Sequence, residues 1–181
     1  SMAGVTVENL TQALSKYLPE RTAHPLAQII VDYQISLKIT RSRATKFGDY
    51  RSPHQGKGHQ ISINGDLNEF HFLITLLHEI AHCFTFIRHQ RQVAPHGKEW
   101  KMQFKTLLEP FIKHKIFPED IQTALINHIE KIKASSCTDR NLLFVLKSYD
   151  PIPEGSEHVI LEALAEGSTF IFRGKKFQKG I

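Results

Sequence analysis

Three observations predict an α+β domain. Phe70 to Gln90 is a long apolar stretch with the length of a buried helix. Ile35–Ile39 and His59–Asn64 alternate apolar and polar residues, as half-buried strands do. The remaining apolar residues fall at helical spacing before and after these strands. The order is helices, a three-stranded sheet, a long central helix, further helices and a small β-rich appendage.

The elements follow in turn. Val7, Leu10, Leu14 and Leu18 form one helical face, broken at Pro19. Leu26, Ile29, Ile30 and Tyr33 form a second after Pro25. Ile35–Ile39 is the first strand, Lys46–Arg51 around Phe47 and Tyr50 the second, and His59–Asn64 the third. Between the last two, Ser52 to Gly58 is rich in turn residues. Asn64-Gly65-Asp66 is a turn, and Asn68 is placed to cap the long helix. Glu99–Leu108 is helical through Trp100, Phe104, Leu107 and Leu108, ending at Pro110. Pro118 opens another helix, carrying Ile121, Leu125, Ile126 and Ile129. These elements make a domain over residues 5–132, followed by a linker at 133–141. From Leu142 to Ile181 the pattern changes to short strand-like runs, with a hairpin expected from Thr169–Arg173 and Lys176–Gln178. The ending Gly180-Ile181, just after a basic strand-like segment, reads as a truncation, and Ser1 before Met2 reads as a tag scar.

Length and composition bound the class. At 181 residues, 41% apolar and 23% charged, the chain is an ordinary globular domain with a small appendage. No apolar run approaches the roughly 20 residues of a membrane span, and the N-terminus lacks a signal-peptide pattern. Cys83 and Cys137 are the only cysteines, which fits a cytoplasmic protein and excludes both a disulfide framework and a four-cysteine zinc ribbon. A net charge of +5 permits nucleic-acid contact without demanding it. Its basic residues gather at Lys38, Arg41, Arg43, Lys46 and Arg51, and again at Arg173, Lys175, Lys176 and Lys179. A solvated face explains such clusters equally well.

The chemistry concentrates at His78-Glu79-Ile80-Ala81-His82 in the long helix. Histidines four apart lie on one helix face, since about 3.6 residues make a turn. Both imidazoles can then reach one zinc ion, with the intervening glutamate beside the metal as a general base. Burying two histidines and a glutamate among Leu76, Leu77, Ile80 and Ala81 is costly unless something satisfies them. A metal does so more directly than backbone carbonyls and a salt bridge.

A catalytic zinc takes a third protein ligand and leaves one position for water. Thr85 and Arg88 stand where the extended metzincin pattern wants glycine and histidine, so that pattern fails. His89 lies too far along the same helix, while Glu99 and Glu109 are carboxylate candidates from a second helix. His96, between Pro95 and Gly97 just before that helix, is the preferred third ligand, with Glu99 its main competitor. His59, Arg91 and Lys98 are candidates to steady an oxyanion, and Gln60–Asn64 to be an edge strand that aligns substrate. Trp100, Phe104 and Leu108 read as core; His24, His54, His71, His114, His128 and His158 read as surface or locally bonded. Cys83 reads as a small buried residue.

Leu77-His78-Glu79-Ile80-Ala81-His82 followed by His96-Gly97-Lys98-Glu99-Trp100 resembles the SprT-like (Spartan-related) zinc metallopeptidase family, over roughly residues 30–110. The resemblance implies a zincin-like fold, zinc held by His78, His82 and His96, and Glu79 as the general base. It also implies a protein or peptide substrate, and better-known members degrade proteins crosslinked to DNA. Many members carry a four-cysteine zinc ribbon after this domain, which Cys137 alone cannot replace. The appendage more nearly resembles a short β extension of SprT-like proteins from Bacteroidetes. The alternative function is a nucleic-acid-binding module with a structural or catalytically silent zinc site.

Overall fold

The computed structural model describes residues 4–132, 139–152, 169–172 and 175–178. Helices α1 (Val7–Leu14) and α2 (Ala23–Asp32) pack on each other, burying Leu14, Leu18, Leu26 and Ile30. Pro25 is the third residue of α2, where its missing N–H has no intrahelical acceptor to lose. Strands β1 (Ser36–Thr40), β2 (Gly48–Arg51) and β3 (Gln60–Asn64) form a mixed sheet in the order β1-β3-β2. β3 runs parallel to β1 and antiparallel to β2. The expectation that Gln60–Asn64 is an edge strand is therefore wrong: β3 has a partner on each side, and β2 is an edge. Ile61 and Ile63, which alternate along β3, are fully buried.

Helix α3 (Glu69–His89) is the axis of the core, and contacts both β2 and β3. Asn68 caps it as expected, its side chain accepting from the His71 N–H at 3.0 Å. By length and composition α3 is apolar enough to cross a membrane, contrary to the expectation that no such stretch exists. Most of that apolar surface is core: Phe72, Leu73, Leu76, Leu77, Ile80 and Ala81 are inaccessible to solvent. Helix α4 (Lys98–Lys113) packs on α3 through Trp100, Phe104 and Leu108. It does not end at Pro110, because that residue removes only one late-helix donor while Phe111 still anchors the last turn in the core.

Helix α5 (Glu119–Lys131) follows Pro118, with Ile121, Leu125 and Ile129 buried as expected. From Leu142 the chain departs from the strand-like reading, because Arg140–Lys147 forms helix α6. Leu142, Val145 and Leu146 are buried at helical spacing, and Asp139 caps the helix by accepting from the Leu142 N–H at 3.0 Å. A short apolar run reads as strand or helix with equal ease, and the cap decides it. Thr169–Phe172 and Lys175–Gln178 pair as β4 and β5, the antiparallel pairing expected of a hairpin. Most of the expected linker, residues 153–168 of the expected strand-like stretch with His158, and part of the terminal basic cluster lie outside the described residues.

Candidate metal centre

His78 and His82 project from one face of α3, and His96 reaches them from the loop before α4. The three Nε2 atoms form a nearly equilateral triangle, 3.2 Å between His78 and His82, 3.1 Å between His78 and His96, and 3.0 Å between His82 and His96. Three corners of a tetrahedron with bonds of about 2.0 Å lie about 3.3 Å apart, so the triangle matches one face of a tetrahedral metal site. The chemistry of the donors agrees. A neutral imidazole carries one N–H, so three converging nitrogens cannot all be satisfied by shared protons. One cation accepts all three lone pairs. Burial and the neighbouring rings hold His82 down to about 4 and His78 well below the ordinary histidine range. Burial also lowers His96, with a smaller contribution from His128. All three are thus neutral near pH 7, the form that binds metal.

His96 sits at φ +59°, in the left-handed region that non-glycine residues rarely adopt. That turn brings its ring back over α3 before the chain enters α4 at Gly97. Among the described residues only His78, His82 and His96 group closely enough to share a metal, so neither Glu99 nor His89 joins them.

Trp100 backs this triad. Its ring lies 4.7 Å from His78, 5.5 Å from His82 and 4.8 Å from His96, and its Nε1–H donates to the His78 carbonyl at 3.3 Å. Phe104 stacks behind it at 4.9 Å. The core reading of both residues holds, and Trp100 also fixes the ring positions. Tyr50, which sequence reasoning passed over, lies on the other side with its ring 12° from parallel to His82 at 6.5 Å. Its hydroxyl pairs with His59 Nδ1 at 2.7 Å.

Glu79 is 6% exposed, and its Oε2 has no hydrogen-bond partner. Burial, reinforced by Asp49 and opposed by Arg43 and Lys46, pushes its carboxyl up to about 8. Gly48 at the start of β2 packs against it. A Cβ there would meet Thr75 Cγ2 at 2.7 Å, Ile63 Cδ1 at 3.0 Å and Glu79 Cγ at 3.2 Å, so the approach requires glycine. The loop leading to Gly48 is held by Asn64, which is 1% exposed rather than a mere turn residue. Asn64 Oδ1 accepts from Arg43 Nε at 2.8 Å, and its Nδ2 donates to the Lys46 carbonyl at 2.8 Å. Arg43 also donates to Ser62 Oγ at 3.0 Å, so this member of the basic stretch serves the fold.

A cleft of about 380 Å³ opens onto His78, Glu79 and His96. One wall is Ala44–Gly48 with α3; the other comes from α5, Asp139 and α6. None of the oxyanion candidates His59, Arg91 and Lys98 lines it. His59 is engaged by Tyr50, and Arg91 donates to Ser52 Oγ at 3.0 Å. His71 and His128, read as surface or locally bonded, are both buried and line the cleft. His128 is locally bonded as well, its Nδ1 pairing with Asp139 Oδ2 at 3.2 Å. Cys83 is fully buried, as expected.

Fold and site together define an α+β protein whose three clustered histidines can hold a metal ion at the base of a cleft. Residues 8–118, more than half of the chain, match the SprT-like family, and the chain belongs to that family. No curated protein and no solved structure was found to match it.

Proposed function

We propose that the protein is a zinc-dependent metallopeptidase, with His78, His82 and His96 as the ligands and Glu79 as the general base. The observation that carries this reading is the Nε2 triangle of 3.0–3.2 Å beside a buried carboxylate with an unpartnered oxygen. Zinc in such a site acts as a Lewis acid, acidifying water and polarising a carbonyl. Glu79 takes the proton of the attacking water and returns it to the leaving amine. Burial raises the Glu79 carboxyl in the metal-free chain, and a dication bound beside it would oppose that shift and favour the carboxylate that accepts the water's proton. The edge strand β2 begins at the cleft with Gly48, and its unpaired edge is suited to an extended peptide. Lys38, Arg41, Lys46 and Arg51 remain candidates for contact with DNA that carries a bound protein substrate.

The test uses the zinc-loaded protein with casein as a generic unfolded substrate. Glu79→Gln is expected to keep about one zinc per chain and lose at least ~10²-fold in cleavage rate. Undiminished cleavage by this variant refutes the mechanism, and a zinc-loaded wild type inert on casein and unfolded peptides refutes the activity.

A further inference from the structure

The cleft has two walls of different origin. The Ala44–Gly48 loop and α3 lie inside the family-matched segment 8–118, whereas His128, Asp139 and α6 lie beyond it. The second wall is fastened at several points. Asp139 caps α6 with one oxygen and pairs with His128 with the other. Asn68, the cap of α3, donates to the Leu146 carbonyl at 2.8 Å and to Asp150 Oδ1 at 2.7 Å. The Tyr149 hydroxyl donates to Asp120 Oδ1 at 2.7 Å, and its ring packs edge-on against Phe70. Helix α6 is thus built into the cleft.

This wall faces the cleft with Leu142, Leu143 and Leu146. Ile74, one helical turn before His78, and Phe47 line it from the first wall. Leu142, Leu146 and Ile74 are at most 6% exposed, while Leu143 is half-buried and Phe47 is 38% exposed. These apolar side chains share one cleft with His78 and His96, alongside the polar Lys46, His71, His128 and Asp139. The size of the cleft, about 380 Å³, exceeds what one water needs and admits a large side chain.

The geometry points to a specificity pocket: the Leu143 wall of α6, with Ile74 and Phe47, receives a large apolar side chain of the substrate residue bordering the scissile bond. This inference rests on the metallopeptidase reading. The occupant is a leucine, methionine or phenylalanine side chain, because water leaves the apolar lining when such a group enters. A charged side chain would lose its hydration against the leucines, and charged groups that also line the cleft are already engaged, Asp139 by His128 and the Leu142 N–H and Lys46 by Asp49. Filling the pocket with an isobutyl group is expected to strengthen binding about 10- to 100-fold over hydrogen.

Two peptide hydroxamates, identical except for an isobutyl or a hydrogen substituent beside the zinc-binding group, separate the outcomes when titrated calorimetrically into the zinc-loaded protein. The isobutyl compound is expected to bind about 10- to 100-fold more tightly. Leu143→Asp, at a half-buried position whose change leaves Leu142 and Leu146 in the core, is expected to abolish that difference, and Leu143→Met to retain it. Equal affinities in the wild type overturn the pocket but leave the peptidase reading standing, and this comparison does not depend on any variant folding. A preference unchanged in folded Leu143→Asp also overturns it. Failure of the zinc-loaded protein to bind either hydroxamate refutes an open metal position, and both readings fall.

Discussion

Glu79→Gln also tests the electrostatics of the site without any substrate. The wild-type carboxyl is buried with one oxygen unpartnered, and is pushed from 4.5 up to about 8 by burial first and Asp49 second. At roughly 1.4 kcal/mol per pH unit, that displacement corresponds to a destabilisation of order 5 kcal/mol once the group is ionised. The sign follows from linkage. The folded state holds this proton more tightly than the unfolded state, so metal-free wild type is most stable below about pH 4.5 as far as Glu79 is concerned. That contribution is lost as pH rises from 4.5 through about 8. The amide of the variant does not titrate. Its own unpaired group offsets part of the gain at every pH, by about 1–3 kcal/mol. Metal-free Glu79→Gln should therefore match or fall slightly below wild type at pH 5, and exceed it by about 2–4 kcal/mol at pH 8.5. Urea unfolding with a chelator present, at both pH values, reads the difference. A stability gap that is the same at pH 5 and pH 8.5 would refute the claim that Glu79 lacks compensation in the metal-free fold.

The histidine triad titrates in the opposite sense, because burial lowers His78, His82 and His96. Their contribution to metal-free stability is present above the ordinary value of 6.5 and is lost as pH falls towards about 4, the value of His82. Because the rings stay neutral until then, zinc should remain bound at pH 6 and be lost only as pH falls through about 4, and its loss already at pH 6, read by metal analysis after desalting, would contradict this. Gly48→Ala should destabilise the protein by about 1–3 kcal/mol and reduce peptidase activity while zinc content stays near one per chain. Urea unfolding, metal analysis and casein cleavage check this, and an unperturbed variant would mean that β2 and α3 pack less closely than Thr75 and Glu79 indicate.

The sequence made one class of feature legible: features fixed by local spacing. His78 and His82 follow from helical periodicity, and His96 from its loop position just before α4. Features that depend on distant pairing were hidden. Ile35–Ile39 and His59–Asn64 have the same alternating signature, and nothing local says that β3 lies between β1 and β2. Trp100 has the spacing of a core residue, which it is; its bond to the His78 carbonyl depends on how α4 crosses α3. Gly48 reads as an unremarkable strand boundary because what it lacks matters only against Thr75 and Glu79. Asn64 looked like a turn residue since its partners, Arg43 and the Lys46 carbonyl, belong to another loop. In α6 a signal was present, for Asp139 precedes an apolar run in which Leu142, Val145 and Leu146 share a helical face.

These hidden features bear directly on the chemistry. A general base must lie at a set distance from both metal and substrate, and on the proposed mechanism each distance has its own determinant. Helix geometry alone sets Glu79 against His78 and His82, so any HExxH helix supplies that part. The distance to an edge-bound substrate depends on how near β2 comes to α3, and that is set by Gly48 against Thr75 and Glu79. Strand β2 is in turn held by its pairing with β3 and by the loop that Asn64 and Arg43 pin. The histidine-bearing helix α3 and strand β2 are consequently one packed unit. A change at buried Asn64 or Gly48 would thus act on Glu79 and β2 together, while the three histidines, fixed by α3, the His96 turn and Trp100, stay in place.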